Sequence, residues 1–402
     1  MTPNDEPPVG ASRSAQWNAR LTLRALRVHF LRIWIGMTIV AMLGGCGADV
    51  PLPPAPPDAA ISERETQAFV EALKPRRAGR PVVAVLAAND STEITDFLLP
   101  HAVLQRAGIA EVQAVAPLRG RVRLYPALQV EVAEDLAGFD RKHPSGADYV
   151  IVPAMQPDDD PAIIAWLQRQ AEQGARIIGL CVGSLVLGQA GLLDGRRFTG
   201  HWYYRSKLLE RHPTGTYVPH QRYVIDRDVA TTTGITASVP TTLALVEAIA
   251  GRDKAQALAA DIGVTTWSAA HDSSPFYLDA SRMWSYALNK ITFWRHQRWS
   301  VDVHNGIDDI SLALAVDAWS RTGRVNVEAA SATGPVKLRS GLTLVAQPAA
   351  ESMPRVPLAP ALKPVQQLDR TLCEITERYG VSQRDWVMQE MEYPGPAPAC
   401  AL

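Results

Sequence analysis

The sequence predicts an α/β fold with a doubly wound parallel sheet, followed by a mostly helical extension. Four short runs, at 81–88, 112–116, 149–152 and 175–179, are rich in Val, Ile and Ala, which is typical of strands buried on both faces. Helical segments separate these runs, and such alternation indicates a parallel sheet covered by helices. The last run leads into Gly179-Leu180-Cys181-Val182-Gly183, a strand, a tight turn and a helix start that together predict a nucleophile elbow.

The N-terminal 80 residues are predicted to lie outside this fold. The apolar run 33–43 follows Arg20, Arg24, Arg27 and Arg32 and ends in Leu43-Gly44-Gly45-Cys46, and this order is typical of an export signal. The last four residues resemble a bacterial lipobox, with Cys46 as the lipidated residue. We therefore predict a signal segment over 1–46, a proline-rich tether over 47–80 with a helix at 62–73, and anchoring on the periplasmic side of a bacterial membrane. The alternative is a single N-terminal membrane anchor.

The composition argues against several functions. Lys+Arg 40 balance Asp+Glu 41, so no basic charge favours a nucleic acid as partner. The four cysteines lie far apart without a C-x-x-C pair, which predicts neither a disulfide framework nor a structural zinc site. We expect no metal and no cofactor.

Three loops are predicted to meet at one edge of the sheet. They follow the strands 81–88, 149–152 and 175–179, and the carboxyl ends of parallel strands form the ligand-binding edge of a doubly wound sheet. Helices are predicted at 96–107, 161–172 and 239–250. Two further segments can reach this edge: 199–202, and 231–238, where a strand passes through Gly234 into a helix start with several hydroxyl groups. Such a helix start suits an anion or a carbonyl group, or Thr236 and Ser238 serve only as helix caps.

Cys181 is the candidate nucleophile. Its place in the first turn of a helix, near unpaired N–H groups and the positive end of the dipole, favours the thiolate. Gly179 and Gly183 are expected because a Cβ at either position would clash in a strained turn. From spacing alone, a buried core cysteine is an equal alternative.

Four segments, 92–100, 148–154, 175–202 and 230–251, resemble the PfpI/ThiJ superfamily of the class I glutamine amidotransferase-like fold. The resemblance is greatest to the branch with isonitrile hydratase and the sensor domains of AraC-type regulators. It implies a flavodoxin-like, catalytic-type domain over 81–263, a small-molecule substrate or ligand, and a homodimer.

The resemblance also assigns site residues. Cys181 matches the elbow cysteine, Asp96 the acidic residue bonded to that cysteine, and His201 the histidine of a Thr-His segment. Ala154 and Met155 stand where the superfamily has an oxyanion-binding Gly-Gly turn.

Further backbone groups are expected to bind substrate or an oxyanion, namely those of Val182, Gly183, Gly234 and Thr236. Protease-like members carry histidine directly after the cysteine, whereas this sequence has Val182, which argues against peptidase chemistry. Glu93 is expected to face solvent or the loop.

Residues 264–402, called the extension below, are predicted to be mainly helical, with helices at 281–294, 308–319 and 368–379. Segments 336–338 and 342–345 predict a small hairpin. The AraC-type branch would place basic helix-turn-helix units here, and the extension has neither that charge nor that pattern. The sequence thus favours an exported cysteine enzyme that acts on a small electrophile by hydratase, glyoxalase-like or hydrolase chemistry. The alternative is a ligand-sensing or redox-sensing module without turnover.

Overall fold

The computed structural model describes residues 51–55, 59–278 and 297–400. Within them the strands are β1 (Val82–Leu86), β2 (Thr92–Glu93), β3 (Glu111–Ala116), β4 (Gly120–Tyr125), β5 (Gln129–Val132), β6 (Glu134–Asp135), β7 (Tyr149–Val152), β8 (Arg176–Gly179), β9 (Arg197–Phe198), β10 (Thr216–Tyr217), β11 (Tyr223–Asp226), β12 (Val229–Thr232), β13 (Gln297–Asp302), β14 (Val325–Ala330), β15 (Val336–Lys337) and β16 (Thr343–Leu344). The α-helices are α1 (Ala59–Ala72), α2 (Ile94–Ala107), α3 (Leu136–Lys142), α4 (Pro161–Glu172), α5 (Gly183–Gln189), α6 (Arg205–Arg211), α7 (Ser238–Ala250), α8 (Arg252–Ile262), α9 (Asp309–Arg321), α10 (Gln366–Tyr379) and α11 (Val381–Met391).

A seven-stranded sheet in the order β11-β12-β8-β7-β1-β3-β6 organises the molecule. Every pair is parallel except β11 with β12. The order β3-β1-β7-β8-β12 is that of a flavodoxin-like, doubly wound sheet, which confirms the predicted fold class. Strand order reverses between β1 and β7, so the loops after these two strands flank the natural ligand-binding crevice.

The two faces of the sheet carry separate apolar cores, because strands without polar side chains need cover on both sides. One core includes Phe97 of α2 and Leu243 of α7, and it continues into the extension through Trp319 of α9 and Leu372 of α10. The other includes Trp166 of α4 together with α3, α5 and α6.

The extension is joined to the rest of the fold by backbone pairing as well as by packing. A second sheet has the order β15-β16-β5-β4-β2, and Leu344 of β16 lies opposite Val130 of β5. The hairpin expected in this region is the antiparallel pair β15–β16. The predicted helix at 281–294 lies outside the described residues, whereas α9 and α10 lie where helices were predicted.

The segment before β1 contributes a helix to the folded unit. In α1, Phe69 is buried at 1% exposure, as is Leu73 just after the helix at 0%, and the Tyr149 hydroxyl donates to the Leu73 carbonyl at 2.6 Å. The predicted signal segment with Cys46 lies outside the described residues. Among the helices that are described, none combines the length and the apolar character that a membrane crossing requires.

The cysteine prediction is wrong for one pair. Cys373 in α10 and Cys400 near the end of the chain form a disulfide with a Cα–Cα distance of 5.4 Å. The sequence does not show this pair, because the chain turns back over α10 only after α11. Cys181 remains a free, buried cysteine.

Candidate active site

The elbow places Cys181 at the carboxyl end of β8 with its backbone in the left-handed region, at φ 52°. A Cβ on Gly183 would lie 2.1 Å from the Val152 carbonyl oxygen, and one on Gly179 would lie 2.9 Å from the Leu187 side chain. The expected steric need for both glycines is thus confirmed. The Cys181 N–H donates to the Thr232 hydroxyl of the neighbouring strand at 3.0 Å, which fixes the strained turn.

The environment of the thiol corrects the expectation of a ready thiolate. Cys181 is 3% exposed, and burial raises its pKa well above the ordinary value, with further increases from the carboxyl groups of Asp96 and Glu93. The start of a short helix does not outweigh the loss of solvation and two acidic neighbours. Thiolate formation here requires compensation from other groups.

Asp96 is fully buried, and its charge acts on the thiol. Within the described residues its oxygens bond to two other elements and not, as the resemblance implied, to Cys181. Its Oδ1 accepts the Ser238 hydroxyl at 2.8 Å, and its Oδ2 accepts the Ala154 N–H at 3.2 Å. Burial, and then the charge of Glu93, raise the pKa of Asp96 well above the usual aspartate value. The carboxyl group therefore favours the neutral form more than an exposed aspartate would.

The backbone N–H groups that were expected to bind an oxyanion do not all have the same role. The Ala154 N–H is taken by Asp96, and the Gly183 N–H donates to the Leu180 carbonyl at 2.6 Å. No partner within the described residues engages the Val182 N–H. Ala154, Met155 and Val182 line the cavity at the elbow, whereas Gly183 packs behind it.

His201 also lines this cavity, yet both of its ring nitrogens are engaged elsewhere. Nε2 lies 3.0 Å from the Glu390 carbonyl oxygen, and Nδ1 accepts the Tyr203 N–H at 3.2 Å. This pattern is that of a neutral ring that donates from Nε2, and burial lowers the pKa of His201. The geometry gives His201 a role in holding α11 over the cavity.

Gly234 and Thr236 lie beneath the end of α11, and neither lines the cavity. The Thr236 hydroxyl donates to the Glu392 carbonyl at 2.6 Å. A Cβ on Gly234 would lie 2.5 Å from the Glu392 side chain. These two residues provide room and a hydrogen bond for the turn that follows α11.

The cavity in front of Cys181 has a volume of about 470 Å³, within the range of small-molecule sites. Its charged lining residues are Glu93, Glu390 and Arg321, and Ser91 and Gln156 are further polar ones. Its aromatic walls are Tyr125, Trp202, Tyr203, Tyr204 and Trp386. Arg321, Trp386 and Glu390 come from the extension, and sequence reasoning missed all three.

The expectation that Glu93 faces solvent is wrong. Glu93 is 5% exposed and caps α2, where its Oε2 accepts the Asp96 N–H at 2.6 Å and the Thr95 hydroxyl at 2.7 Å. Its Oε1 accepts from Arg321 Nη2 at 3.0 Å. Glu93 therefore connects the helix that carries Asp96 to the extension.

The end of α11 is fastened across the site by its own carbonyl groups. Trp202 Nε1 donates to the Gln389 carbonyl at 2.9 Å, next to the contact of His201 with residue 390. The buried Glu392 side chain then meets His271 Nε2 at 2.9 Å. These contacts hold the end of α11 over the elbow.

A second cavity of about 950 Å³ is lined by His220, Asp272 and Tyr393 among others, and Cys181 and Asp96 do not reach it. Within 51–55, 59–278 and 297–400, no cluster of three or more His, Cys, Asp or Glu side chains is arranged to hold a metal ion.

Several known proteins are similar in sequence to part of this chain. The chain is 39% identical over 99 residues to isonitrile hydratase from Pseudomonas putida, which covers 24% of this chain and 42% of the hydratase. It is 38% identical over 86 residues to the HTH-type transcriptional regulator CdhR from Pseudomonas aeruginosa. That alignment covers 21% of this chain and 25% of CdhR. It is also 37% identical over 98 residues to the HTH-type transcriptional regulator GlxA from Rhizobium meliloti. That alignment covers 24% of this chain and 30% of GlxA. The chain thus spans less than half the length of each.

Two solved structures are also similar in fold. Drosophila melanogaster DJ-1beta aligns with a TM-score of 0.42 and 22% identity over 46% of this chain and 100% of that chain. A DJ-1 superfamily protein from Salmonella typhimurium aligns with a TM-score of 0.40 and 25% identity over 46% and 98%.

The model of the DJ-1/PfpI family matches residues 82–248, a range that holds the elbow, Asp96 and His201. The isonitrile hydratase and the regulators agree with the branch that the sequence indicated. Residues 82–248 therefore carry the match of this chain to the DJ-1/PfpI family.

Proposed function

We propose that the protein is a cysteine enzyme that adds water to, or rearranges, a small uncharged electrophile. The observation that carries this proposal is the placement of Cys181 at the wall of a 470 Å³ cavity, with the buried, high-pKa carboxyl group of Asp96 beside it. An acid held neutral next to a nucleophile can give a proton to one intermediate and recover it from the next.

In the hydration version, the Cys181 thiolate bonds to the terminal carbon of the isonitrile, and Asp96 protonates that carbon to give an N=CH–S thioimidate. Water then adds across the C=N bond, with its OH on carbon and its other proton on nitrogen. The hydroxyl proton returns to Asp96 as the C–S bond breaks to release the formamide and the thiolate, and the Val182 N–H stabilises the charge that develops on oxygen.

The lining of the cavity supports a small and uncharged substrate. Glu93 and Glu390 would repel an anion, while the fixed guanidinium of Arg321 would repel a cation. Aromatic walls such as Trp202 and Tyr204 favour an apolar body. The isonitrile hydratase among the relatives supports hydration of an isonitrile, and an α-oxoaldehyde fits the same requirements.

A panel of isonitriles, α-oxoaldehydes and amides tests the proposal. We expect turnover of at least one isonitrile or oxoaldehyde and none of peptides or amides, because Val182 replaces a neighbouring base. Product formation is followed by mass spectrometry, with Cys181→Ala as the blank. Equal product from the blank, or no turnover of any compound, would contradict an enzymatic role.

A sensor is the second candidate, since transcriptional regulators are among the relatives and α11 lies directly over the cavity. Trp202 and Trp386 line the site, so their fluorescence reports binding in the same panel. Saturable binding without turnover, together with sulfinic acid on Cys181 after peroxide treatment, would favour this role. We propose no nucleic acid as partner, because positive and negative charges balance in this chain, although the regulators among the relatives are of the HTH type.

We also propose export and lipid anchoring through Cys46. The basic and apolar order of 1–46 supports it, and so does the Cys373–Cys400 disulfide, since such bonds persist in oxidising compartments. Mass spectrometry of the mature chain should find an N-terminus at a lipidated Cys46. An unmodified chain that begins upstream of Cys46 would contradict this. A homodimer stays a prediction.

A further inference from the structure

We infer that Arg321, supplied by the extension, is a positioning residue whose fixed charge offsets part of the acidic surroundings of Cys181 and so promotes formation of the reactive thiolate. This inference rests on the proposed function only in taking the thiolate as the reacting species. It gives the extension a direct part in the chemistry of a site that the DJ-1/PfpI segment alone would leave strongly acidic.

Arg321 is held in one orientation at the end of α9. Its Nε donates to Asp317 Oδ1 at 2.7 Å, its Nη2 to Glu93 Oε1 at 3.0 Å and its Nη1 to Glu390 Oε2 at 3.4 Å. The side chain is 9% exposed and lines the same cavity as Cys181. A planar guanidinium bonded on three sides cannot swing away as a lysine could.

The charges around the thiol show what Arg321 contributes. The charged or titratable groups with the largest effect on Cys181 within the described residues include the acidic Asp96, Glu93 and Glu392, and the one cation among them is Arg321. Tyr204 also interacts with the thiol, and His201 lines the same cavity with a pKa that burial lowers. The charge of Arg321 lowers the pKa of Cys181 and of Asp96, against burial and the acids, which raise both. Asp317, Glu390 and Tyr125 face Arg321 from its other sides.

The contact with Glu93 gives Arg321 a second route to the site. Glu93 Oε2 accepts the Asp96 N–H, while Glu93 Oε1 accepts from Arg321. The guanidinium thus holds the cap of the helix that presents Asp96. Both the positive charge near Cys181 and the alignment of Asp96 therefore depend on the Arg321 side chain.

The test measures the rate of Cys181 alkylation by iodoacetamide between pH 6 and 10 on the full chain. The Cys181 peptide is quantified by mass spectrometry, because Cys46 also carries a thiol. We expect Arg321→Met to slow alkylation about tenfold at pH 8 and to move the rate profile up by about one pH unit. Arg321→Lys keeps the charge and is expected to stay within about threefold of wild type.

Arg106→Met is the matched control. Arg106, with its side chain 7% exposed, also bridges α2 to α9 through Asp308, but it lies ten residues, or roughly 15 Å along the helix, from Asp96. It should lower the melting temperature without changing the alkylation profile. An equal slowing in Arg106→Met would show that docking of α9, and not charge, controls the thiol, and would overturn the inference.

Glu390→Gln removes a negative charge instead of a positive one. It is a second, independent variant that tests the role of Arg321. It deletes an acid that faces Arg321 while keeping the shape of the side chain, so we expect alkylation about threefold faster at pH 8. Slower or unchanged alkylation in this variant, or an unchanged rate in Arg321→Met, would refute the role of Arg321. None of these rates requires turnover, so a protein without enzymatic activity would still give a decisive answer.

Discussion

Replacement of Cys181 with alanine is expected to abolish turnover of every substrate found for the wild-type protein, with a loss of at least ~10⁴-fold. The proposed chemistry passes through a bond to the Cys181 sulfur, and no second thiol lies in the described cavity. Cys181→Ser keeps a hydroxyl in place, but an alcohol in a buried, acidic site is not ionised, so its loss should be nearly as large. Initial rates at saturating substrate give the measurement.

The variant is expected to fold normally, which separates chemistry from structure. Alanine leaves the backbone at φ 52° in the same strained region and removes one sulfur atom, so the melting temperature should change little. Cys181→Gly relieves the strain and is expected to stabilise the protein by about 1 kcal/mol. Residual turnover above a hundredth of the wild-type rate in Cys181→Ala would contradict a nucleophilic role.

The parts of the site that lie on the sheet could be predicted because local pattern determines them. Apolar runs fix β1, β7 and β8, parallel strands bring their carboxyl ends together, and glycines bracket the turn at Cys181. Asp96 followed from the resemblance of segment 92–100 to the PfpI/ThiJ superfamily. Strands β4 and β5 were missed, although Val122 and Leu124 alternate with Arg121 and Arg123 in a pattern that predicts a half-buried strand.

The contribution of the extension could not be predicted, because it depends on contacts between residues more than 200 positions apart. Arg321 and Glu93 are 228 residues apart in the chain, and no periodicity reports such a pair. One signal was present: Asp317 and Arg321 stand four residues apart at the end of an otherwise apolar helix, and a buried charge in such a helix needs a partner. The disulfide was missed because Cys373 and Cys400 are 27 positions apart in sequence and are brought together only by the turn of the chain after α11.

Asp96→Asn is expected to separate proton transfer from thiol reactivity. Asparagine can keep both bonds, with its oxygen accepting the Ala154 N–H and its NH₂ donating to the Ser238 hydroxyl, so the variant should fold. It cannot give up or recover a proton, and we expect turnover to fall by about 10²–10⁴-fold.

Alkylation of Cys181 should respond in the opposite direction. The Asp96 carboxylate raises the pKa of Cys181, so its replacement by a neutral amide should speed iodoacetamide alkylation, and the gain should be larger at high pH, where the carboxyl group is ionised, than at low pH. Ser238→Ala serves as the control, since it removes one hydrogen bond to Asp96 but keeps the acid, and its turnover should fall less than tenfold. A parallel loss of turnover and alkylation in Asp96→Asn would mean that Asp96 serves only to activate the thiol. Opposite responses would assign it the transfer of the proton, because only a group that acts after the thiolate has formed can lower turnover while the thiolate becomes more abundant.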